Sequence, residues 1–398
     1  MAAPLAGLTV LAVEQYGAGP FGSMLLADLG AEVFKIENPR EGGDVGRHVG
    51  PHFFGPGDSH FFHAFNRNKR SVALDLKHPE GRAAFRELAR GADAVLDNLR
   101  GDQAERLGVT YEALKEVNPA IVCAHLSAYG REGSRKAWPG YDYLMQAEAG
   151  YLAVTGEPDG PPTRFGLSVV DMMTGLMAAF ALVSGVLGAR ATGRGADMDV
   201  SLFDTALHNL TYLAAWHANA GYTQGREKRG AHPSLGPTQL YRTRDGWIFI
   251  MCNKQKFWPL LAERLGRPEW ATDPRFADFA GRLAHRDELT VLMDEAFSAR
   301  TTAEWLAILQ GAVPAAPVLD VAQAMENPFV AERGAIADFA RREGGAPVRM
   351  LRGPVRVNGA LPPALAAPAM GEATDEALRR AGFDEARIAA LRAAGAIG

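Results

Sequence analysis

Apolar and polar positions alternate in short blocks along the first third of the chain. Residues 8–14 form an apolar run ending on Glu14, and residues 21–30 follow with helical spacing after Pro20, a residue suited to a first helical turn. Residues 31–37 and 71–76 are further strand-like runs, the second followed by a helical pattern over 79–90. Residues 94–96 and 121–126 add two more short strands with a helix between them. Strands of this length alternating with helices predict an α/β fold, a parallel sheet with helices on its faces.

Farther along, the pattern changes. Residues 130–170 are rich in Gly and Pro and read as loop, and a long helix is predicted over about 172–190. Residues 172–189 carry no charge, which reaches the lower length limit for a membrane span. Gly175, Gly185 and Gly188, with Thr174 and Ser184, make the stretch only modestly apolar, so it is expected as a buried core helix whose small residues suit close helix packing. After a turn at Gly193 and Gly195, a strand and a helix follow. A polar linker spans 223–238. Residues 240–244 and 247–251 then pair as a hairpin across Asp245-Gly246, followed by helices near 254–265, 284–298 and 302–311. Residues 341–370 form a second linker rich in Arg, Gly and Pro, before helices near 373–381 and 384–393. These divisions predict a large domain over 1–221, completed by 341–398, with a smaller α+β domain over 222–340 inserted between.

Composition narrows the function classes. The 398 residues are 47% hydrophobic and 22% charged, which suits a folded soluble protein and excludes long disordered tails. A net charge of −4 offers no basic excess for a nucleic acid partner. Two cysteines, Cys123 and Cys252, make neither a disulfide framework nor a four-thiolate metal site and fit a reducing compartment. With no basic segment before an apolar run at the start, the expected location is cytoplasmic, without membrane association. His48 and His52 have the spacing of a metal pair, but Gly50-Pro51 between them breaks the helix such a pair needs, so no metal site is expected.

Gly17-Ala18-Gly19-Pro20-Phe21-Gly22 is a literal G-x-G-x-x-G between strand and helix, and the next strand ends on Glu37, near the position of a ribose-binding carboxylate. It reads as an NAD or FAD site, as a ligand-free tight turn, or as a site for another nucleotide-bearing ligand. Arg40, Arg47, Arg67, Lys69, Arg70 and Lys77 crowd the loops beside the predicted strand ends, and as a group they favour a polyphosphate. A lone carboxylate, Asp171, stands between Val170 and Met172 at the start of the long helix, either as a cap or as a reacting group.

Several short segments stand in a set order along the chain: Ala18-Gly19-Pro20, Lys35-Ile36-Glu37, Asn66 to Lys77, Asp97-Asn98-Leu99-Arg100-Gly101, Arg106-Leu107-Gly108, Gly140-Tyr141-Asp142, Thr192-Gly193-Arg194-Gly195 and Gly371-Glu372-Ala373-Thr374-Asp375. In these the chain resembles the class III CoA-transferases, the CaiB/BaiF-like family of formyl-CoA transferase and carnitine CoA-transferase, nearly end to end. The resemblance implies a Rossmann-like domain that binds coenzyme A and an obligate homodimer of interlocked rings. It places coenzyme A contacts on Leu74, Lys77, Asn98, Leu99 and Arg106. An arginine that formyl-CoA transferases carry directly after the Lys-Ile-Glu run is Asn38 here, with Arg40 two residues on. A glutamine before Ala-Gly-Pro is Gly17 here.

The resemblance makes Asp171 the nucleophile. It would attack an acyl-CoA to give an acyl-aspartyl anhydride, then an aspartyl-CoA thioester, and pass coenzyme A to an acceptor carboxylate. Coenzyme A enters as substrate, and no metal or redox cofactor is implied. Racemases of the same superfamily use a His-Asp pair after a glycine. Here the residues are Tyr141 and Asp142, and a tyrosine with an ordinary pKa near ~10 is a poor base. A racemase-like enzyme, an oxidoreductase using Gly17, Gly19, Gly22 and Glu37, and a non-catalytic acyl-CoA-binding protein remain the alternatives. The glycine run of formyl-CoA transferases is missing at residues 231–237, which argues against formate–oxalate exchange. Arg47, Arg164 and His232 are candidates for a distal carboxylate, pointing to succinate, mesaconate, itaconate or malate, transferred between molecules or within one.

Overall fold

A computed structural model describes residues 3–398. The blocks of the first third become β1 (Thr9–Val13), α1 (Ala18–Asp28), β2 (Glu32–Glu37), β3 (Arg70–Ala73), α2 (Pro79–Arg90), β4 (Ala94–Asp97) and β5 (Val122–Ser127). After α3 (Asp142–Glu148) come α4 (Val169–Thr192) and β6 (Ala196–Ser201). The strands form one six-stranded sheet in the order β3-β2-β1-β4-β5-β6, with every pair parallel. All residues of β4 and β5 are buried, as expected of central strands covered on both faces. The strand order reverses between β1 and β4. Loops leaving the carboxyl ends of these two strands run in opposite directions, which opens a crevice there.

By contact the chain divides into two units. The larger holds the chain up to Ala149, Gly166–Leu210 and Phe329–Gly398, and the smaller holds Gly150–Phe165 and Thr211–Pro328. These boundaries differ from the expected 221/222 and 340/341, and the loop 150–165 goes with the smaller unit. Arg226 donates to the carbonyls of Gly160 and Pro161, and the Arg229 N–H donates to Glu157, which ties that loop to the chain beyond 211. Phe329–Gly398 joins the larger unit because Ala377, Leu378, Ile388 and Leu391 pack into the same core as Leu11, Phe34, Val72 and Val95. The expected linker over 341–370 contains a strand, Val348–Leu351, paired antiparallel with Ile336–Phe339. The smaller unit has a three-stranded antiparallel sheet of Thr238–Arg242, Trp247–Met251 and Ala315–Pro317, with the expected hairpin turning through Asp245-Gly246. Its core includes Tyr241, Trp258, Phe276, Phe297 and Trp305.

The uncharged stretch forms α4, which is long and apolar enough to cross a membrane by length and composition. It packs on α1, β5 and β6 through Val170, Thr174, Ala178, Leu182, Val186 and Ala189, a repeat of three to four residues that marks one helix face. The crossing with α1 is backbone against backbone. A Cβ on Gly22 would lie 2.3 Å from the Gly175 carbonyl oxygen, and one on Gly175 would lie 2.3 Å from that of Ala18. The expectation of a buried core helix holds for this face alone. Leu176, Phe180 and Leu187 on the other side are 56%, 68% and 64% exposed.

Candidate active site

The crevice at the carboxyl ends of β1 and β4 contains two adjoining cavities. The larger, of about 490 Å³, is lined by Tyr16, Gly17, Trp138, Tyr141 and Asp171 among others. The smaller, of about 240 Å³, has apolar walls from Ile36, Leu74, Leu76 and Leu107. Gln15, Asn98 and Leu99 line both and join them.

Asp171 is the third residue of α4 and is buried. Its carboxylate has no hydrogen-bond partner among the described residues, while its backbone N–H donates to Asp142 Oδ2 at 3.0 Å. Asp142 Oδ1 accepts from Gln146 Nε2 at 2.6 Å, and Gln146 also donates to the Leu167 carbonyl. Asp142 therefore does the capping that sequence alone offered to Asp171, and Ser168 at the start of the helix adds no side-chain cap. This leaves the Asp171 carboxylate unpaired beside the cavity. Burial, reinforced by the negative charge of Asp142, pushes its pKa up to about 7. Asp142 has both oxygens engaged, so the position that pairs with histidine in racemases serves here to start a helix.

The loop between β1 and α1 lies against this carboxylate. A Cβ on Gly17 would stand 3.1 Å from Asp171 Oδ2, so a larger residue would crowd it. Asn98 Oδ1 accepts from the Gln15 N–H at 2.9 Å and Asn98 Nδ2 donates to the Gln15 carbonyl at 2.7 Å. Both polar atoms of the Asn98 side chain thus clamp the loop. Tyr16 has φ +69°, a left-handed conformation uncommon for a bulky residue. Its phenol is pushed above its ordinary pKa by burial and then by Asp171. Nothing in the sequence marked Tyr16, because a strained backbone angle has no residue-type signature when the residue is not glycine.

The other expected site residues divide. Leu74, Lys77, Asn98 and Leu99 line the smaller cavity, with the Lys77 ammonium donating to Glu41. Arg106 is exposed and lines neither cavity. Arg40, expected to meet phosphates, donates to the carbonyls of Ala394 and Gly395 near the chain end. Arg47, expected to meet a substrate carboxylate, is buried and forked onto Glu37 at 2.6 and 2.8 Å. Arg47 also corrects the dinucleotide reading. Burial alone would raise the Glu37 pKa, but Arg47 holds it below its ordinary value, and Ser71 and the Asp44 N–H take up the remaining acceptor capacity. No oxygen of Glu37 is left for a ribose. The glycines of the fingerprint serve packing instead: Gly22 meets Gly175, and a Cβ on Gly19 would lie 2.9 Å from Asn98. Arg164 and His232 belong to the smaller unit, where Arg164 donates to the Phe165 carbonyl and the His232 ring accepts from the Ser234 N–H. Among the described residues no group of three or more His, Cys, Asp or Glu is placed to hold a metal ion.

A family model described as CoA-transferase family III matches residues 5–374. The chain belongs to this family. It is 37% identical to the acetyl-CoA:oxalate CoA-transferase of Acetobacter aceti over 89% of this chain and 90% of that protein. It is 33% identical to the succinate–glutarate CoA-transferase of Agrobacterium fabrum over 86% of each. A crystal structure of a CaiB/BaiF family protein from Brucella suis superposes with a TM-score of 0.83 at 33% identity, covering 96% of this chain and 100% of that one. The protein is a CoA-transferase of family III, with the six-stranded parallel sheet described above.

Proposed function

We propose that this family III CoA-transferase moves coenzyme A between short dicarboxylic acids through covalent catalysis by Asp171. The observation that carries the reading is a buried, unpaired carboxylate facing a cavity that opens onto an apolar slot at the sheet's switch point. Asp171 attacks the thioester carbonyl of the donor, forming an acyl-aspartyl anhydride and releasing coenzyme A as the thiolate. The thiolate attacks the aspartyl carbonyl, giving an aspartyl-CoA thioester and the free donor acid. The acceptor carboxylate then attacks that thioester, and the returning thiolate takes the acceptor acyl group from the second anhydride and frees Asp171.

In this reading the nucleotide end of coenzyme A occupies the slot at Leu74, Lys77 and Leu99, and the thioester reaches past Asn98 to Asp171. The first turn of α1 has no side-chain cap, so backbone N–H groups at Gly17 to Gly19 are available to developing oxyanions. The dicarboxylate class is supported by relatives named for oxalate and for succinate and glutarate. Arg47 is committed to Glu37, so its guanidinium does not serve the distal carboxylate in this reading.

The test is trapping. The protein is incubated with succinyl-CoA and other acyl-CoAs, quenched with hydroxylamine, and digested for mass spectrometry. A hydroxamate on Asp171 is expected, formed most with dicarboxylic donors. Modification of another residue would refute the mechanism. The exposed face of α4, with Leu176, Phe180 and Leu187, also favours a homodimer that covers it. Light scattering should give twice the chain mass, and a monomer in dilute solution would remove the dimer.

A further inference from the structure

The turn from β1 into α1 passes through a residue that resists the conformation it holds. Between Glu14 and Ala18 the chain takes Tyr16 into the left-handed region at φ +69°, where glycine is the usual choice. Such strain persists only where the surroundings impose it, and it gathers at functional sites. Asp44 is hydrogen-bonded to the strained residue itself. Its Oδ1 accepts from the Tyr16 N–H at 2.9 Å and from the Gly46 N–H at 2.7 Å. Its Oδ2 lies 2.8 Å from Lys35 Nζ. Lys35 Nζ also donates to the Glu14 carbonyl at 3.0 Å, two residues before Tyr16. The Asp44 N–H donates to Glu37 Oε2 at 3.0 Å, fixing the aspartate from its own backbone.

These groups are buried. Lys35 is 0% and Asp44 2% exposed, and a charge at that depth is held to its partner by the cost of leaving it unpaired. Gly17, the next residue along, is the one whose added Cβ would stand 3.1 Å from Asp171 Oδ2. The φ of Tyr16 sets the course of the chain into Gly17 and the first turn of α1, so the place of Gly17 beside that carboxylate depends on it.

We propose that Asp44 is a positioning residue for the reaction at Asp171, holding Tyr16 left-handed so that Gly17 and the start of α1 stay against the reacting carboxylate. The inference rests on the reading of Asp171 given above.

Asp44→Asn is expected to lower kcat about 10- to 100-fold, the range that a misplacement near 1 Å produces, with KM for the acyl-CoA changed less than about threefold. Combined with Tyr16→Gly, Asp44→Asn should cost less than about twofold relative to Tyr16→Gly alone, because glycine adopts the turn unaided. Combined with Tyr16→Ala it should keep its full cost, since alanine lacks the phenol but still resists positive φ. An equal cost in all three backgrounds, or an unchanged kcat in Asp44→Asn, overturns the proposal. If Asp44→Asn gives no folded protein, the melting temperatures of Tyr16→Gly and Tyr16→Ala decide: a glycine variant no more stable than the alanine one shows that the turn is unstrained. Hydroxylamine trapping distinguishes a failure of the Asp171 mechanism from a failure of the role given to Asp44. An adduct elsewhere than Asp171 removes the underlying reading, whereas an adduct on Asp171 formed at the normal rate in Asp44→Asn overturns this inference alone.

Discussion

Asp171→Asn is expected to lower transferase turnover by at least about 10³-fold while raising the stability of the fold. The amide has nearly the shape of the carboxylate but cannot form the anhydride. The effect on stability follows from the raised pKa of about 7. The unfolded aspartate releases its proton near the ordinary value of 3.8, whereas the folded one keeps it to about 7. Between those values the folded state binds more protons than the unfolded state, so stability falls as pH rises through this window and stays reduced above it. Removing the ionisable group at pH 8 should therefore stabilise the protein by up to about 4 kcal/mol, an advantage that disappears near pH 4. Thermal unfolding of the two proteins across pH measures it. In the unaltered enzyme the same ionisation predicts that kcat/KM rises with pH to a plateau above about 7. A flat profile from pH 5 to 8 would contradict Asp171 as the reacting group, as would an asparagine variant that retains normal turnover.

Gly175→Ala and Gly188→Ala are expected to act in opposite directions although they make the same change on the same helix. The new Cβ at 175 would lie 2.3 Å from the Ala18 carbonyl oxygen, a backbone atom that cannot rotate aside. α4 and α1 must separate, at an expected cost of at least about 2 kcal/mol. Activity should fall further than stability, because the first turn of α4 carries Asp171 and Gly17 leads into α1. At Gly188 no atom lies within 4 Å of the added Cβ, and alanine replaces glycine in a helix with a gain of roughly 0.5–1 kcal/mol. Melting temperatures and kcat of the two variants check the pair. Equal melting temperatures would show that the close crossing contributes nothing.

The cationic cluster marks the limit of what a residue type near a strand end carries. Arg40, Arg47, Arg67, Lys69, Arg70 and Lys77 sit near strand ends, where arginine and lysine meet phosphates, and their number favoured a polyphosphate. In the fold Arg67 pairs with Asp28 at 2.6 Å, Lys69 with Glu14 at 2.7 Å and Arg70 with Glu376 at 2.5 Å, while Arg47 takes Glu37. Burial pushes the Lys69 pKa down to about 8, even with Glu14 against it. A residue type near a strand end reports that a charge is available and says nothing of which acid the fold brings to it. The G-x-G-x-x-G is ambiguous for the same reason. A glycine that admits a phosphate and one that admits another helix look alike until the second helix is in place.

What the sequence determined by itself was local or cumulative. Apolar periodicity placed the strands of the parallel sheet, the hairpin of the smaller unit and the long uncharged helix, because each depends on neighbours a few residues apart. The order of many short segments marked the family and brought Asp171 forward. Tertiary structure decided everything that depends on pairing at long range. It gave the capping of α4 to Asp142 and left Asp171 unpaired, turned Asn98 inward onto Gln15, and closed Arg47 onto Glu37. It also set two helix backbones in contact at Gly22 and Gly175. Each is a choice of partner for a polar or minimal side chain, and partners distant in sequence are chosen by the packing of the whole core.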